Sequence, residues 1–508
     1  MPAPDDIASP GHAGRAVGHD DGLIDASLGE TDQRASEPAA PAGSRIDALV
    51  DEPNAWPALI GWLQRGPTTR CRVLDDLDRL VAGIDERLNA QLNAILHHPD
   101  YQRLEASWRG LSYLVWHTGG QPGIKVRVLN LPWRELVRDL DRAIEFDQSQ
   151  FFNKIYTEEF GSPGGEPFGV ILGDYAFSHR IASDMEAIES LSHVAAAAFA
   201  PMVMGADSAL FGLDQFAGLG PPVNLPRIFQ QTEYLKWRAF RDTEDARFIG
   251  LVMPRVLMRT PHRGLGARVD GFRFREEVAG PDSGRYLWGN AIYALGSVLV
   301  REFAESGWLA SIQGVERGVE SGGLVTGLPQ HDFATDAPGV ASRISTDVLI
   351  TDADEKMLGE LGFMPLSHCK DTPWGAFYGS ASVQKPKHYD EVSATVNARL
   401  SSMLQYMFCV SRFAHYLKVI GRDRIGSFAT AEEVENTLQR WLIGYTIDDD
   451  EASTQAKAKA PLREGRVEVR ELPGKPGKYY CVMHLRPHFQ LDQVVTAVKL
   501  VTEVTSGE

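Results

Sequence analysis

The residues best equipped for chemistry in this sequence are His97-His98, His368-Cys369-Lys370 and Asp448-Asp-Asp-Glu451. Adjacent histidines can ligate a metal, a histidine beside a cysteine can generate a thiolate, and clustered carboxylates can hold a hard cation. None has the setting those reactions need. His97-His98 ends an apolar-periodic stretch and belongs to no HExxH pair. Catalytic cysteine and histidine partners normally meet in space rather than along the chain. The acidic run reads as a solvated loop. There is no GxxxxGK[ST] and no GxSxG, and residues 318–327 are Gly-rich without the Lys-Ser/Thr of a phosphate cradle. The expectation is therefore no catalytic residue, no cofactor and no metal. An enzyme stays open as an alternative, because carboxylates brought together by folding leave no linear motif.

Composition narrows the class further. At 508 residues the chain can bury a large core, and 43% hydrophobic with 23% charged residues is ordinary for a water-exposed protein. No apolar run approaches the roughly 20 residues that span a bilayer. The start, Met1-Pro-Ala-Pro-Asp-Asp-Ile, lacks the basic head and apolar core of a signal peptide. Cys71, Cys369, Cys409 and Cys481 lie too far apart for a CxxC pair, so a reducing, cytoplasmic setting is expected. A net charge of −17 argues against nucleic acid and against anionic membrane surfaces.

The elements that would position any site are legible from periodicity. Residues 1–43 are Ala/Pro/Gly/Asp/Ser-rich and are expected to be disordered. Two apolar islands, 23–28 and 46–64, are candidate docking peptides or self-packed helices. Residues 73–96 read as a helix whose seam, Leu74, Leu77, Val81, Ile84, Leu88, Leu92 and Ile95, is narrow and close to heptad spacing, as if packed on another helix. Asp100 is the expected cap of the next helix, through Leu104, Trp108, Leu111 and Leu114. From residue 124 the pattern turns α/β: a strand at 125–129, a helix at 133–144, a continuous apolar strand at 168–173, an Ala-rich helix at 181–200 and a strand at 201–204. That order predicts a mostly parallel sheet with right-handed crossovers. Residues 352–362 read as helical. A long helix is expected from Val396 to a stop at Gly421, and another over 431–443. Two alternating strands, 466–472 and 479–486, flank the turn Pro473-Gly-Lys-Pro-Gly477.

Short segments in a fixed order resemble the large subunit of the type VI secretion contractile sheath, the TssC/VipB family. They are Leu104-Glu-Ala-Ser-Trp-Arg-Gly-Leu-Ser-Tyr-Leu114, Tyr156-Thr-Glu-Glu-Phe-Gly161, Gly164-Gly-Glu-Pro-Phe-Gly169, Leu235-Lys-Trp-Arg-Ala-Phe-Arg241, Glu244-Asp-Ala-Arg247, Tyr286-Leu-Trp-Gly-Asn-Ala291, Val383-Gln-Lys-Pro-Lys387, Ala414-His-Tyr-Leu-Lys418, Ile425-Gly-Ser427 and Arg486-Pro-His-Phe489. Ser311-Ile-Gln-Gly-Val-Glu-Arg-Gly-Val-Glu320 departs from the family's Pro/Gly-rich run.

The resemblance covers about residues 74–505 and implies an α/β (mixed α+β) fold with a contractile-tail-sheath-like core. That core has mixed sheets flanked by helices, an N-terminal helical region and C-terminal strands that pair with neighbouring subunits. The expected division is a tail at 1–43, a helical region facing the small subunit or the unfoldase at 44–120, an α/β domain at 121–380 and a C-terminal domain at 381–508. The implied partners are a small (TssB/VipA-like) sheath subunit, further copies in a six-start helical assembly, an Hcp-like inner tube, a baseplate and a recycling AAA+ unfoldase. By the same resemblance Val467, Val469, Leu472, Tyr480, Val482, His484, Val495 and Val498 are the inter-subunit strand-pairing candidates. Leu74, Leu77, Val81, Ile84 and Leu88 are the candidates for packing on a partner helix. A divergent paralogue outside the main tubule, or an α/β enzyme, are the alternatives.

Overall fold

The computed structural model describes residue 57 and residues 70–162, 164–219, 223–264, 271–278, 283–316, 319–332, 343–370, 372–424, 431–449, 452–471, 479–488 and 498–504. The expectations for the 1–43 tail, the islands at 23–28 and 46–64, Leu472, Val495, the 473–477 turn, Ile425-Gly-Ser427 and Phe489 fall outside them. The chain divides into two compact units, 1–87 and 88–508.

The chain is mixed α/β. Helices α1 (Arg70–Leu96), α2 (Pro99–Thr118), α3 (Trp133–Arg142), α4 (Ala182–Ala198), α5 (Leu235–Arg241), α6 (Ile292–Ser306) and α7 (Asp352–Glu360) alternate with strands β1 (Ile171–Phe177), β2 (Met202–Ala206), β3 (Ile249–Met253), β4 (Val256–Arg259), β5 (Leu287–Gly289), β6 (Leu324–Val325), β7 (His331–Asp332) and β8 (Arg343–Ile344). Strands β9 (Met364–His368) and β10 (Gly375–Phe377) follow, then helices α8 (Val392–Ser401), α9 (Leu404–Arg424), α10 (Ala431–Ile443) and α11 (Thr454–Lys459), and strands β11 (Leu462–Glu471), β12 (Tyr479–Pro487) and β13 (Val498–Val504).

One six-stranded sheet, in the order β1-β2-β3-β9-β10-β6, organises the larger part. Its pairs from β1 to β9 are parallel, and β9–β10 and β10–β6 are antiparallel. Strand alternation divides the core in two. Met202, Met204, Ile249, Leu251 and Met253 point into a cluster with α4, α5 and α7, including Ile188, Trp237 and Phe363. Val203 and Val252 point the other way, among Leu114, Tyr293, Leu295 and Val298 of α2 and α6. With helices on both faces, the central strands carry no polar side, which is why they read as continuous apolar runs. A third cluster joins α9, α10, β11 and β12, with Trp308 stacked on Phe413 at 4.2 Å.

Four elements differ from expectation for physical reasons. Residues 125–129 are not a strand: among the described residues they have no ladder partner, and their contacts are ion pairs. The cap of α2 is His98, whose Nδ1 accepts from the Asp100 N–H, while Asp100 pairs with Arg103. The long helix from 396 is two helices. At the break Leu404 N donates to Ser380 O and Met403 bridges Ala381, so tertiary pairing interrupts a continuous apolar period. Helix α9 then runs past Gly421 to Arg424.

Helix α6 crosses between α2 and the sheet, and the crossing depends on Gly110. A Cβ there would lie 2.2 Å from the Tyr293 ring, which is held by its hydroxyl donating to Asp174 at 2.9 Å. Alanine gains about 1 kcal/mol of helix propensity over glycine, while overpacking a fixed core costs roughly 1–3 kcal/mol. Gly110→Ala is therefore expected to lower the urea midpoint; an unchanged or raised midpoint would mean that the contact yields freely.

The same helix buries Glu302, where desolvation outweighs bonds from Ser306 and the Ser311 amide and pushes the carboxyl up to about 7. A raised acid pKa means the folded chain binds this proton more tightly than the unfolded one. Its contribution to stability therefore grows as pH falls from about 7 towards 4.5. Glu302→Gln is expected to stabilise the chain at pH 8, by at most roughly 3 kcal/mol, and to flatten stability between pH 8 and 5. Parallel denaturation curves for the two proteins at both pH values would contradict this.

Candidate assembly interface

Helix α2 is apolar on two opposite faces. Ala106, Gly110 and Leu114 are buried against α6 and β5. The opposite side exposes Tyr101, Leu104, Trp108, Val115 and Trp116, with Trp108 64% and Trp116 72% accessible. The steps 101, 104, 108, 115 repeat near seven residues, the spacing of a seam that packs on another helix. Large indoles outside a core mark interaction sites more often than single exposed aliphatic residues do. The sequence reading ran this helix through Leu104, Trp108, Leu111 and Leu114; the structure buries Leu114 and exposes Leu104 and Trp108.

On α1, Leu74, Val81, Ile84 and Leu88 are exposed and Leu77 is partly buried. The end of α1 is anchored by residues that seam reasoning missed. Asn89 Oδ1 accepts from Arg275 N, Asn93 Nδ2 donates to Arg275 O, and Asn93 Oδ1 accepts from Glu277 N. Their spacing of four on the side away from the seam was the available signal.

A buried ion cluster fixes α2 to the α/β core. Arg259 at the end of β4 forms a two-pronged pair with Glu276, using Nη1 at 2.5 Å and Nη2 at 3.1 Å, and its Nε donates to Glu105 of α2 at 3.0 Å. Glu105 also accepts from Arg109 at 2.8 Å. Burial alone would raise the Glu276 carboxyl. Hydrogen bonds and charge from Arg259, with the His262 amide, reverse the sign and hold it below the ordinary carboxylate value. His97 of the sequence-level His97-His98 pair sits here, with Nε2 3.4 Å from Glu276.

Residues 124–130 form neither helix nor strand. Lys125 pairs with Glu166, Arg127 pairs with Glu159 and lies over the Phe168 ring, and Val126, Val128 and Leu129 are exposed. Alternating side chains here made the segment look like a strand, but its backbone carries no ladder within the described residues.

The C-terminal strands form a three-stranded antiparallel sheet, β11-β12-β13. Its two edges differ. Along β11, Gln439 bonds Gly465 O and Val467 N, Glu435 accepts from Val469 N, and Tyr445 and Ile447 bond Leu462. Helix α10 thus occupies with side chains the backbone groups an added strand would need. Among the described residues no strand pairs with the outer edge of β13. The predicted residues distribute accordingly. Val467 and Val469 face the third core cluster, Val482 is buried on the opposite side, Tyr480 and His484 are partly buried, and Val498 pairs with Leu485. The α10 contribution was invisible in sequence because Glu435 and Gln439 look like solvated polar residues of an amphipathic helix.

The remaining chemical candidates are dispersed. Cys369 lies 3.8 Å from the Tyr378 hydroxyl, and Asp448 pairs at 3.4 Å with Arg463 near the surface. No group of three or more metal-ligating side chains occurs among the described residues. No helix among them is long and apolar enough to cross a membrane.

The described α/β core carries an exposed apolar helix face and, among the described residues, an unpaired strand edge, and comparison with known proteins gives the class: a contractile-tail sheath protein. The EvpB/VC_A0108 tail sheath N-terminal domain matches residues 78–384, and the EvpB/VC_A0108 tail sheath gpW/gp25-like domain matches residues 393–504. The type VI secretion system sheath protein TssC1 of Pseudomonas aeruginosa (strain PAO1) is 42% identical over 438 residues, 86% of this chain and 87% of that protein. A chain of the anti-feeding prophage (AFP) baseplate, solved by cryo-EM with 6-fold symmetrisation, is similar with a TM-score of 0.32 and 10% identity over 62% of this chain and 63% of that one. The chain belongs to the VipB/EvpB tail sheath family, and its role is that of the large sheath subunit.

Arg259→Met leaves Glu276 buried without its partner, a loss of about 3–5 kcal/mol for such pairs. Because the Glu276 carboxyl is held low, its stabilising contribution is present above the ordinary carboxylate pKa and disappears as pH falls through the depressed value. The variant is expected to lose stability at pH 7 and to lose part of the wild-type acid sensitivity below pH 4.5. A midpoint within 0.5 kcal/mol of wild type would show that α2 is held by packing alone.

Proposed function

We propose that this chain pairs with a small, TssB/VipA-like sheath subunit and that the pairs stack into a six-start tubule around an Hcp-like inner tube, anchored at a baseplate. Contraction would repack these contacts and drive the tube outward, without catalysis or cofactor in this chain. A lattice of this kind needs heterologous, non-closing interfaces and links that survive repacking. The observation that carries the reading is the inequality of the sheet edges: α10 occupies that of β11, while that of β13 has no strand partner among the described residues. Exchange of β13 between neighbouring copies would use main-chain hydrogen bonds, which hold through changes in side-chain packing.

The exposed apolar stripe of α2, uncovered among the described residues, supports a helix of the small subunit as occupant, and the α1 residues Leu74, Leu77, Val81, Ile84 and Leu88 extend the helical region expected to face it. The cytoplasmic setting and the four-part division at residues 43, 120 and 380 belong to this same reading. Recycling by an AAA+ unfoldase would engage the segment before residue 70.

The test is negative-stain microscopy of the chain co-expressed with the candidate small subunit. Tubules are expected only in co-expression. Truncation before Val498 is expected to abolish them while leaving the heterodimer, and Trp108→Asp to abolish heterodimer and tubules together. Tubules that persist in both variants would refute the assignment of these contacts, and a monodisperse monomer in co-expression would favour a divergent paralogue.

A further inference from the structure

We propose that Lys418 is the chain's acyl-accepting amine, a modification site enclosed by aromatic rings in which the ammonium pairs with no carboxylate among the described residues. Lys418 lies on α9, and its Nζ is 5.2 Å from the centre of the Tyr156 ring, 4.9 Å from Phe160 and 4.8 Å from Phe199. Tyr156 and Phe160 come from the helical segment spanning Asn153–Thr157 and Glu158–Gly161. Phe199 caps α4 in a left-handed conformation, φ 50°, which non-glycine residues adopt at a cost. One turn earlier on α9, His415 Nε2 donates to Ala198 O at 2.9 Å, so α9 grips the end of α4 twice.

The surroundings favour a free amine. Among the described residues the titratable groups beside the site are Tyr156, whose ring Lys418 lies over, and His415 one turn earlier on α9, which also feels the charge of Arg412, and no ion pair joins Lys418 to an acid. Burial holds His415 neutral, down to about 4, and its Nδ1 is buried without a partner among the described residues. Burial likewise draws the Lys418 ammonium down to about 8. The ring faces attract a cation and act in the opposite direction, but they cannot replace the hydrogen bonds of water. An amine of pKa about 8 is free base some 200-fold more often at neutral pH than an ordinary lysine. The residue as a whole is only partly buried.

The donor class is an acyl phosphate. The Nζ lone pair attacks the carbonyl carbon, a C–N bond forms, and the C–O bond to phosphate breaks with its electron pair leaving on phosphate. The amine proton passes to solvent, and nothing is oxidised or reduced. The resulting amide is neutral, so the attraction of three rings to a cation is lost. Those rings lie in the span matched by the N-terminal sheath domain and Lys418 in that matched by the gpW/gp25-like domain. Acylation would therefore loosen one junction between them.

The experiment treats the full-length chain with acetyl phosphate between pH 6.5 and 9.5 and follows each lysine by peptide mass spectrometry. Lys418 is expected to react at least tenfold faster at pH 7.5 than the exposed Lys370 and Lys387, with a midpoint near 8. A rate at or below theirs, or a midpoint above 10, overturns the proposal. Lys418→Arg keeps the cation and is expected to retain the wild-type thermal midpoint, whereas Lys418→Gln, which mimics the amide, is expected to lower it by several degrees. Equal midpoints for the two variants would overturn the loosening of the junction.

Discussion

Helix α2 carries two apolar faces, and among the described residues only one is covered. Its inner face is committed by Gly110, which lets Tyr293 approach, and by Glu105, which enters the Arg259–Glu276 cluster. These contacts fix the rotation of the helix about its axis. Trp108 and Trp116 are consequently exposed because the inner face cannot be given up to bury them. Hydrophobic burial of about 25 cal/mol per Å² makes such a surface a standing drive to associate.

The C-terminal sheet obeys the corresponding rule for backbone groups. An unprotected edge invites another strand. At β11 that invitation is withdrawn by Gln439 and Glu435, whose side chains replace a neighbouring strand. At β13 no strand takes it up among the described residues. One covered and one open edge give pairing a direction, which a filament needs and a closed dimer does not. The Lys418 cage lies elsewhere, where α9 meets the end of α4.

Much of this was legible from periodicity. Strands β1 and β2, helices α4 and α10 and the β11–β12 pair were read close to where they lie, whereas the central strands β3 and β9 were not read, although buried parallel strands and amphipathic helices write their environment into residue spacing. What was not legible depends on partners distant in sequence. Residues 125–129 alternate like a strand, yet alternation says nothing about whether a neighbour exists. The break near Met403 lies inside an unbroken apolar pattern, because Ser380 and Ala381 impose it from outside. Trp108 and Leu114 look equivalent on a helical repeat, and only the placement of α6 distinguishes them. Membership of the sheath family, by contrast, was carried by ordered local segments such as 104–114 and 383–387, and these do not depend on distant contacts.

The most direct test of assembly through one helix face and one strand edge is amide hydrogen exchange, compared between the free chain and the co-expressed assembly. The account predicts new protection at residues 101–116 and 498–504 on assembly. Val467 and Val469, already bonded to α10, should be protected in both states. Protection gained at 466–470 with none at 498–504 would contradict it, placing the lattice contact on the edge that α10 covers.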